Sequence, residues 1–226
     1  MDGMTELALA TIAFVGGHFL LSSPPVRSPL VAALGERAFA AVYSVLSIIA
    51  FIWMLMSYGK APHVELWPSL PILRFVPLFV MPIAVLLVVG GYTQRNPTAV
   101  MQPLAPAGSN PAPGILTITR HPVMWGIGLW AIAHIPPNGD LASLQLFGGL
   151  AVLALAGTLA IDAKKRRQDP AGFARLAAAT SNLPFLAIRE GRARMVGLEQ
   201  WRLLLAGGVY FGLMIAHPWL FGAPVM

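Results

Sequence analysis

The sequence predicts an all-α polytopic membrane protein: one domain over residues 1–226, six transmembrane helices, and both termini on the outer, periplasmic side. Three observations carry this expectation. The 226-residue chain is 57% hydrophobic and 11% charged, whereas a soluble domain carries about 25% charged residues. Its apolar residues gather in six stretches near the length, about 20 residues at roughly 1.5 Å each, that crosses a hydrocarbon core about 30 Å thick. Its lysines and arginines gather in alternate connections between those stretches.

The first span is expected from about Thr5 to Leu21, closed by Ser22-Ser23-Pro24-Pro25. It does not read as a signal peptide, because Asp2 and Glu6 replace a basic leader and no small-x-small site follows. The second covers Ala38 to Tyr58, and the third Ile72 to Tyr92, with Pro77 and Pro82 inside it. The fourth, His121 to Ile135, is short and stops at Pro136-Pro137. The fifth covers Leu141 to Ile161 and the sixth Trp201 to Phe221. Between spans three and four lies a proline-rich connection, Thr93 to Arg120, long enough to be a lid or a loose linker. The Asp162–Gln200 connection predicts a surface helix near Gly172 to Thr180.

Orientation follows from charge. The connections after spans one, three and five, together with Arg202 at the start of span six, hold 13 of the 15 lysines and arginines, and only Lys60 and Arg74 lie on the other side. By the positive-inside rule the basic side is cytoplasmic. The pI near 10.3 is therefore a topology signal, and nucleic acid is not an expected partner. The lipid bilayer is. The run Lys164-Lys165-Arg166-Arg167 would anchor to anionic headgroups, with Asp162 pairing with the lysines that follow it.

The absence of cysteine excludes disulfides, thiolate metal sites and a cysteine nucleophile. Histidine then becomes the informative residue, since an ionisable group at membrane depth is costly and marks function. His18 lies near the inner end of span one, His121 opens span four, His134 closes it, and His217 lies toward the outer end of the last span. His121 and His134 are thirteen residues apart, about 20 Å along a helix and on nearly opposite faces, so one metal cannot take both. Depth favours an inner pair, His18 with His121, and an outer pair, His134 with His217. Imidazoles from facing helices suit a heme iron. Gly16-Gly17, Gly126 and Gly128 leave room for either a macrocycle or a neighbouring helix.

The segment Gly114 to His134, with its Thr119-Arg120-His121-Pro122 step and Ala133-His134 pair, resembles the core of the NnrU family. So does the start, with Gly17-His18-Phe19-Leu20-Leu21-Ser22-Ser23, Arg27 and Leu34-Gly35-Glu36-Arg37. The likeness spans nearly the whole chain. It implies a bacterial inner-membrane protein linked to denitrification and nitric oxide handling. The chain is also similar to 15-cis-zeta-carotene isomerase, which binds heme b; that likeness implies His18 and His134 as metal ligands, while the depth reading keeps His121 as the alternative partner. It further implies an apolar or small-gas substrate, a redox partner of unknown identity, and a heme-dependent isomerase or oxidoreductase activity. Ala131 stands where the isomerase carries a cysteine, so a thiolate ligand switch is unavailable. Arg120-His121-Pro122 with Trp125-Gly126 also resembles isoprenylcysteine carboxyl methyltransferases, which implies S-adenosylmethionine held by Arg120 and His121. The second acid of that pattern is missing after Asp162. A non-enzymatic membrane assembly subunit is the remaining alternative.

Overall fold

A computed structural model describes residues 2–99, 102–195 and 197–223. Positions 100 and 101 of the long connection, position 196 and the chain ends lie outside the described residues. The fold is all-α. Its helices are α1 (Gly3–Ser22), α2 (Pro24–Leu34), α3 (Glu36–Lys60), α4 (Phe75–Thr93), α5 (Pro122–Asn138), α6 (Leu141–Gln168), α7 (Pro170–Ala179), α8 (Leu186–Arg189) and α9 (Gln200–Phe221). A 3-10 turn, Pro71–Arg74, leads into α4.

Five of these segments are long and apolar enough to cross a membrane: α1, α3, the stretch Pro71–Thr93, α6 and α9. The fourth expected span corresponds to α5, which has 17 residues and is shorter than the others. It does not stop at the two prolines. Pro136 and Pro137 lie inside α5, which ends where Gly139 turns left-handed at φ 68°. Side chains satisfy its last carbonyls: Trp67 Nε1 donates to Pro136 O at 2.9 Å, and Asn138 Nδ2 to His134 O at 2.6 Å.

The connection after the first span is itself a helix, α2. Pro24-Pro25 closes α1, as expected, but proline at the first helical positions also starts a helix, since its missing N–H is one that a helix start leaves unpaired anyway. The surface helix expected near Gly172 is α7, capped by Asp169, whose carboxylate accepts from Gly172 N at 2.8 Å. The helix α6 runs on to Gln168, beyond the apolar stretch.

The bundle core joins α1, α3, α5 and α6 through Leu7, Ala10, Phe14, Met54, Ala131 and Leu146. Small residues set the closest approaches. A Cβ at Gly126 would lie 2.6 Å from Val88 Cγ2 and 2.7 Å from Ala84 O, so α5 meets α4 there. One at Gly128 would lie 2.8 Å from Leu155 of α6. Gly16 and Gly17 face open space instead. At one end of the bundle, Gly3 packs on the Lys60 carbonyl, and the Tyr58 and Ser143 hydroxyls meet at 2.9 Å. The helices α1 and α6 therefore start at this end and run in the same direction, and α3 runs against both. We call it the far end. The opposite, basic end carries Lys164 to Arg167. The helix α9 packs chiefly against α4, through Ala206 with Val85 and Val89. Tyr210 donates to Leu78 O at 3.1 Å.

Candidate functional site: histidines at two ends of the bundle

At the basic end, Asp162 does not pair with the lysines that follow it. Its carboxylate accepts from Arg120 Nε at 2.9 and 3.0 Å, with Arg120 Nη2 closing a fork on Oδ2. The same carboxylate bonds His121 Nε2 at 2.8 Å. The reason is placement: Asp162 lies on the buried face of α6, where the start of α5 arrives, while Lys165 reaches away to the carbonyl of Gln102. A carboxylate only accepts, so the neutral His121 ring carries its hydrogen on Nε2. Its Nδ1 lone pair is buried, with no partner among the described residues.

This cluster is stitched into the surrounding connections. Arg120 N donates to Ser181 O at 2.9 Å, and Thr98 Oγ1 to Arg120 O at 2.6 Å. Thr119 Oγ1 donates to Asn182 O at 2.6 Å. Asn182 accepts from Trp125 Nε1 at 3.2 Å and donates to Thr158 Oγ1 at 2.8 Å. The Arg120 guanidinium also lies 5.8 Å from the Phe173 ring centre. The Thr-Arg-His-Pro step thus ties the two long connections to α6. The Arg120 guanidinium and the His121 Nε2 are both committed to Asp162. Asn182, Thr158 and Thr98 were missed from sequence, because nothing in their spacing marks them.

The far end is different. His134 and His217 bring their rings to 6.5 Å between centres, inclined by 25°, so the outer pair expected from depth forms. The His134 Nδ1 donates to Trp130 O at 2.7 Å and the His217 Nδ1 to Ala223 O at 2.9 Å. Phe147 lies 5.3 Å from the His134 ring and Phe221 5.0 Å from that of His217. Toward the basic end from this pair is an apolar crevice of about 260 Å³ between α4, α5 and α9. Trp130 and Leu213, one helical turn from each histidine, line it with Val85, Val89, Gly126 and Ile127.

The inner pair does not form. The His18 ring packs at 4.5 Å on Phe14 and 5.4 Å on Tyr43, and its Nδ1 donates to Phe14 O at 2.7 Å. A Cβ on Gly149 of α6 would touch Thr11 of α1, which sets the two parallel helices in register. From that level His18 lies roughly 10 Å toward the basic end, and His134, beside Phe147, roughly 3 Å the other way. The two histidines are therefore about 13 Å apart along the axis, and His121, at Asp162, is about 9 Å beyond His18. His18, His121 and His134 thus lie at three different levels of the bundle. Each imidazole alone suits a metal, its tautomer fixed by a carbonyl or carboxylate on the other nitrogen. Among the described residues no three of His, Asp, Glu and Cys converge as a metal cluster.

Fold and site together define a multi-pass helical membrane protein with a sealed polar clamp at one end and an imidazole pair above an apolar crevice at the other. The NnrU protein family model matches residues 6–225, and the chain belongs to that family. No curated protein and no solved structure is significantly similar to it.

Proposed function

We propose that the chain is a heme b-binding protein of the bacterial inner membrane, with α5 as a sixth span and both termini periplasmic. In this reading it carries out redox or isomerase-like chemistry in the denitrification and nitric oxide setting that the family resemblance implies. One observation supports it above the others. An imidazole pair at the far end of the bundle, each ring held by a carbonyl on its Nδ1, lies about one helical turn from an apolar crevice walled by α4, α5 and α9. Heme bound there supplies a redox-active iron. The chain's own residues hold the ring nitrogens in one tautomer, and the crevice walls keep out water. An apolar chain or a small gas would reach the crevice from the bilayer.

The rival readings differ in what they need. An S-adenosylmethionine site needs the Arg120 guanidinium free, and it is committed to Asp162, as is the His121 Nε2. An assembly subunit needs no ligand at all. Expression with heme supplementation, followed by detergent purification, separates them. A Soret band and a pyridine hemochrome signal are expected, and their absence would leave the assembly role.

A further inference from the structure

We infer that the basic end of the bundle holds a binding site for the phosphate group of an anionic phospholipid, in the cavity between the end of α4 and the start of α9. The inference does not depend on the heme reading above, and it uses none of the Lys164–Arg167 run.

The cavity has a volume of about 500 Å³, within the roughly 300–1,000 Å³ of small-molecule sites. Its walls come from the end of α4, the Pro113-Gly114 turn and the segment Gly197-Leu198-Glu199 that leads into α9. Unlike the apolar crevice, it is lined by charge: two arginines, Arg95 and Arg202, against one carboxylate, Glu199. Hydrogen bonds hold these walls in place. Gln94 Nε2 donates to Pro113 O at 2.9 Å, and Gln94 Oε1 accepts from Ile115 N at 3.3 Å. Arg202 is anchored to Thr93 through Nε at 3.1 Å and Nη2 at 3.2 Å, and to Glu199 through Nη1 at 2.7 Å. A guanidinium has five N–H donors, so Arg202, with three bonded, keeps two for an oxyanion. Arg95 makes one bond among the described residues, from Nη2 to Leu104 O at 2.9 Å. Glu199 neutralises Arg202 in part, and Arg95 leaves the lining net positive. No side chain caps the start of α9, whose N-cap is Glu199, so the positive end of the helix dipole adds to the field.

Position selects a lipid as the source of the phosphate. Thr93 ends one membrane-spanning stretch and Gln200 opens another, so the cavity lies at the headgroup level of the basic side. Tyr92 and Trp201, next in sequence to the lining residues Thr93 and Arg202, are exposed, as aromatic side chains at a membrane interface are. Leu203 and Leu204, just inside the span, are exposed as well, where acyl chains run. Basic pockets between spans on the cytoplasmic side bind anionic headgroups, and a guanidinium matches phosphate oxygens with paired N–H donors.

The test uses the full chain in detergent and counts bound lipid by native mass spectrometry after addition of phosphatidylglycerol or phosphatidylcholine. Wild type is expected to hold one phosphatidylglycerol about fivefold more tightly than phosphatidylcholine. Arg95→Gln removes an arginine with a single local bond and should erase that preference. So should Gly197→Gln, which adds bulk to the lining where a Cβ meets nothing within 4 Å. Arg167→Gln, at an exposed arginine outside the cavity, should leave the preference unchanged. Size-exclusion profiles and thermal midpoints matching wild type show that the variants are folded. Equal retention of the two lipids by wild type overturns the site. An equal loss in Arg167→Gln and Arg95→Gln overturns it in favour of diffuse surface charge. Inorganic phosphate that binds with the same dependence on Arg95, while no lipid preference is seen, would show a free-anion site and overturn the lipid assignment.

Discussion

The two ends of this bundle treat their ionisable groups in opposite ways. At the basic end Arg120 and the His121 Nε2 both bond Asp162, and His121 is fully buried with no partner for its Nδ1 among the described residues. At the far end His134 and His217 each bond a nearby carbonyl through Nδ1, and their rings lie about one helical turn from an apolar crevice. The first arrangement holds connections in place. Both ends carry histidines, so residue type alone does not separate them; what the bonded ring nitrogen meets does, a carboxylate shared with Arg120 at one end and a nearby carbonyl at the other.

The largest effect should come from breaking the clamp. Asp162→Ala leaves the Arg120 guanidinium, whose side chain is 13% exposed, without its partner. Removing one member of a buried pair costs about 3–5 kcal/mol, so thermal unfolding in detergent should show a large drop or loss of a folded species. A variant within 1 kcal/mol of wild type would show that the clamp is not structural. Next, Gly126→Ala forces a Cβ against the Ala84 carbonyl and Val88, and overpacking of this kind costs about 1–3 kcal/mol. It also narrows the crevice, so hemin retention should fall along with stability.

Asn182→Ala removes the bonds to Trp125 and Thr158 and should cost about 1–2 kcal/mol, without altering any ligand spectrum. That contrast separates the two ends in one measurement. Arg192→Ala frees the carbonyls of Ala177, Ala178 and Thr180 at the end of α7. Its partial exposure limits the loss to about 1 kcal/mol, and faster hydrogen exchange should be confined to residues 170–195. The smallest effect concerns Asp2, where bonds from Thr5 hold the carboxyl below its ordinary range. Its contribution to α1 is complete above the ordinary carboxylate pKa and is lost as pH falls through the lowered one. Fraying of the first turn, followed by hydrogen exchange, should therefore begin only in that acid range.

Much of the fold could be read directly. The apolar stretches gave the helices within a few residues, and the expected helix at Gly172 is α7. Helix α2 was missed because Pro24-Pro25 signals an end and a beginning alike, and sequence does not say which. The run through Pro136-Pro137 was missed because a proline inside a helix lacks the N–H for the carbonyl four residues earlier and so signals a stop, whereas α5 continues to Asn138, its end carbonyls capped by Trp67 and Asn138. Depth predicted the His134–His217 pair correctly. It also predicted an inner pair that does not form, because depth fixes a level along the bundle and leaves open which way the ring points. His18 turns to Phe14 and Tyr43, and His121 to Asp162.

By itself, the order of residues determined that this is a membrane-spanning helical chain, where its helices run, and which end is basic. Apolar length and charge act residue by residue, and the bilayer reads them without reference to the rest of the fold. Only the tertiary structure decided that Asp162 meets Arg120 and His121 rather than its neighbouring lysines, and that His18 turns to Phe14 and Tyr43 rather than toward His121. Those choices depend on how each helix is rotated against its neighbours, which is set by packing at small residues such as Gly126 and Gly128.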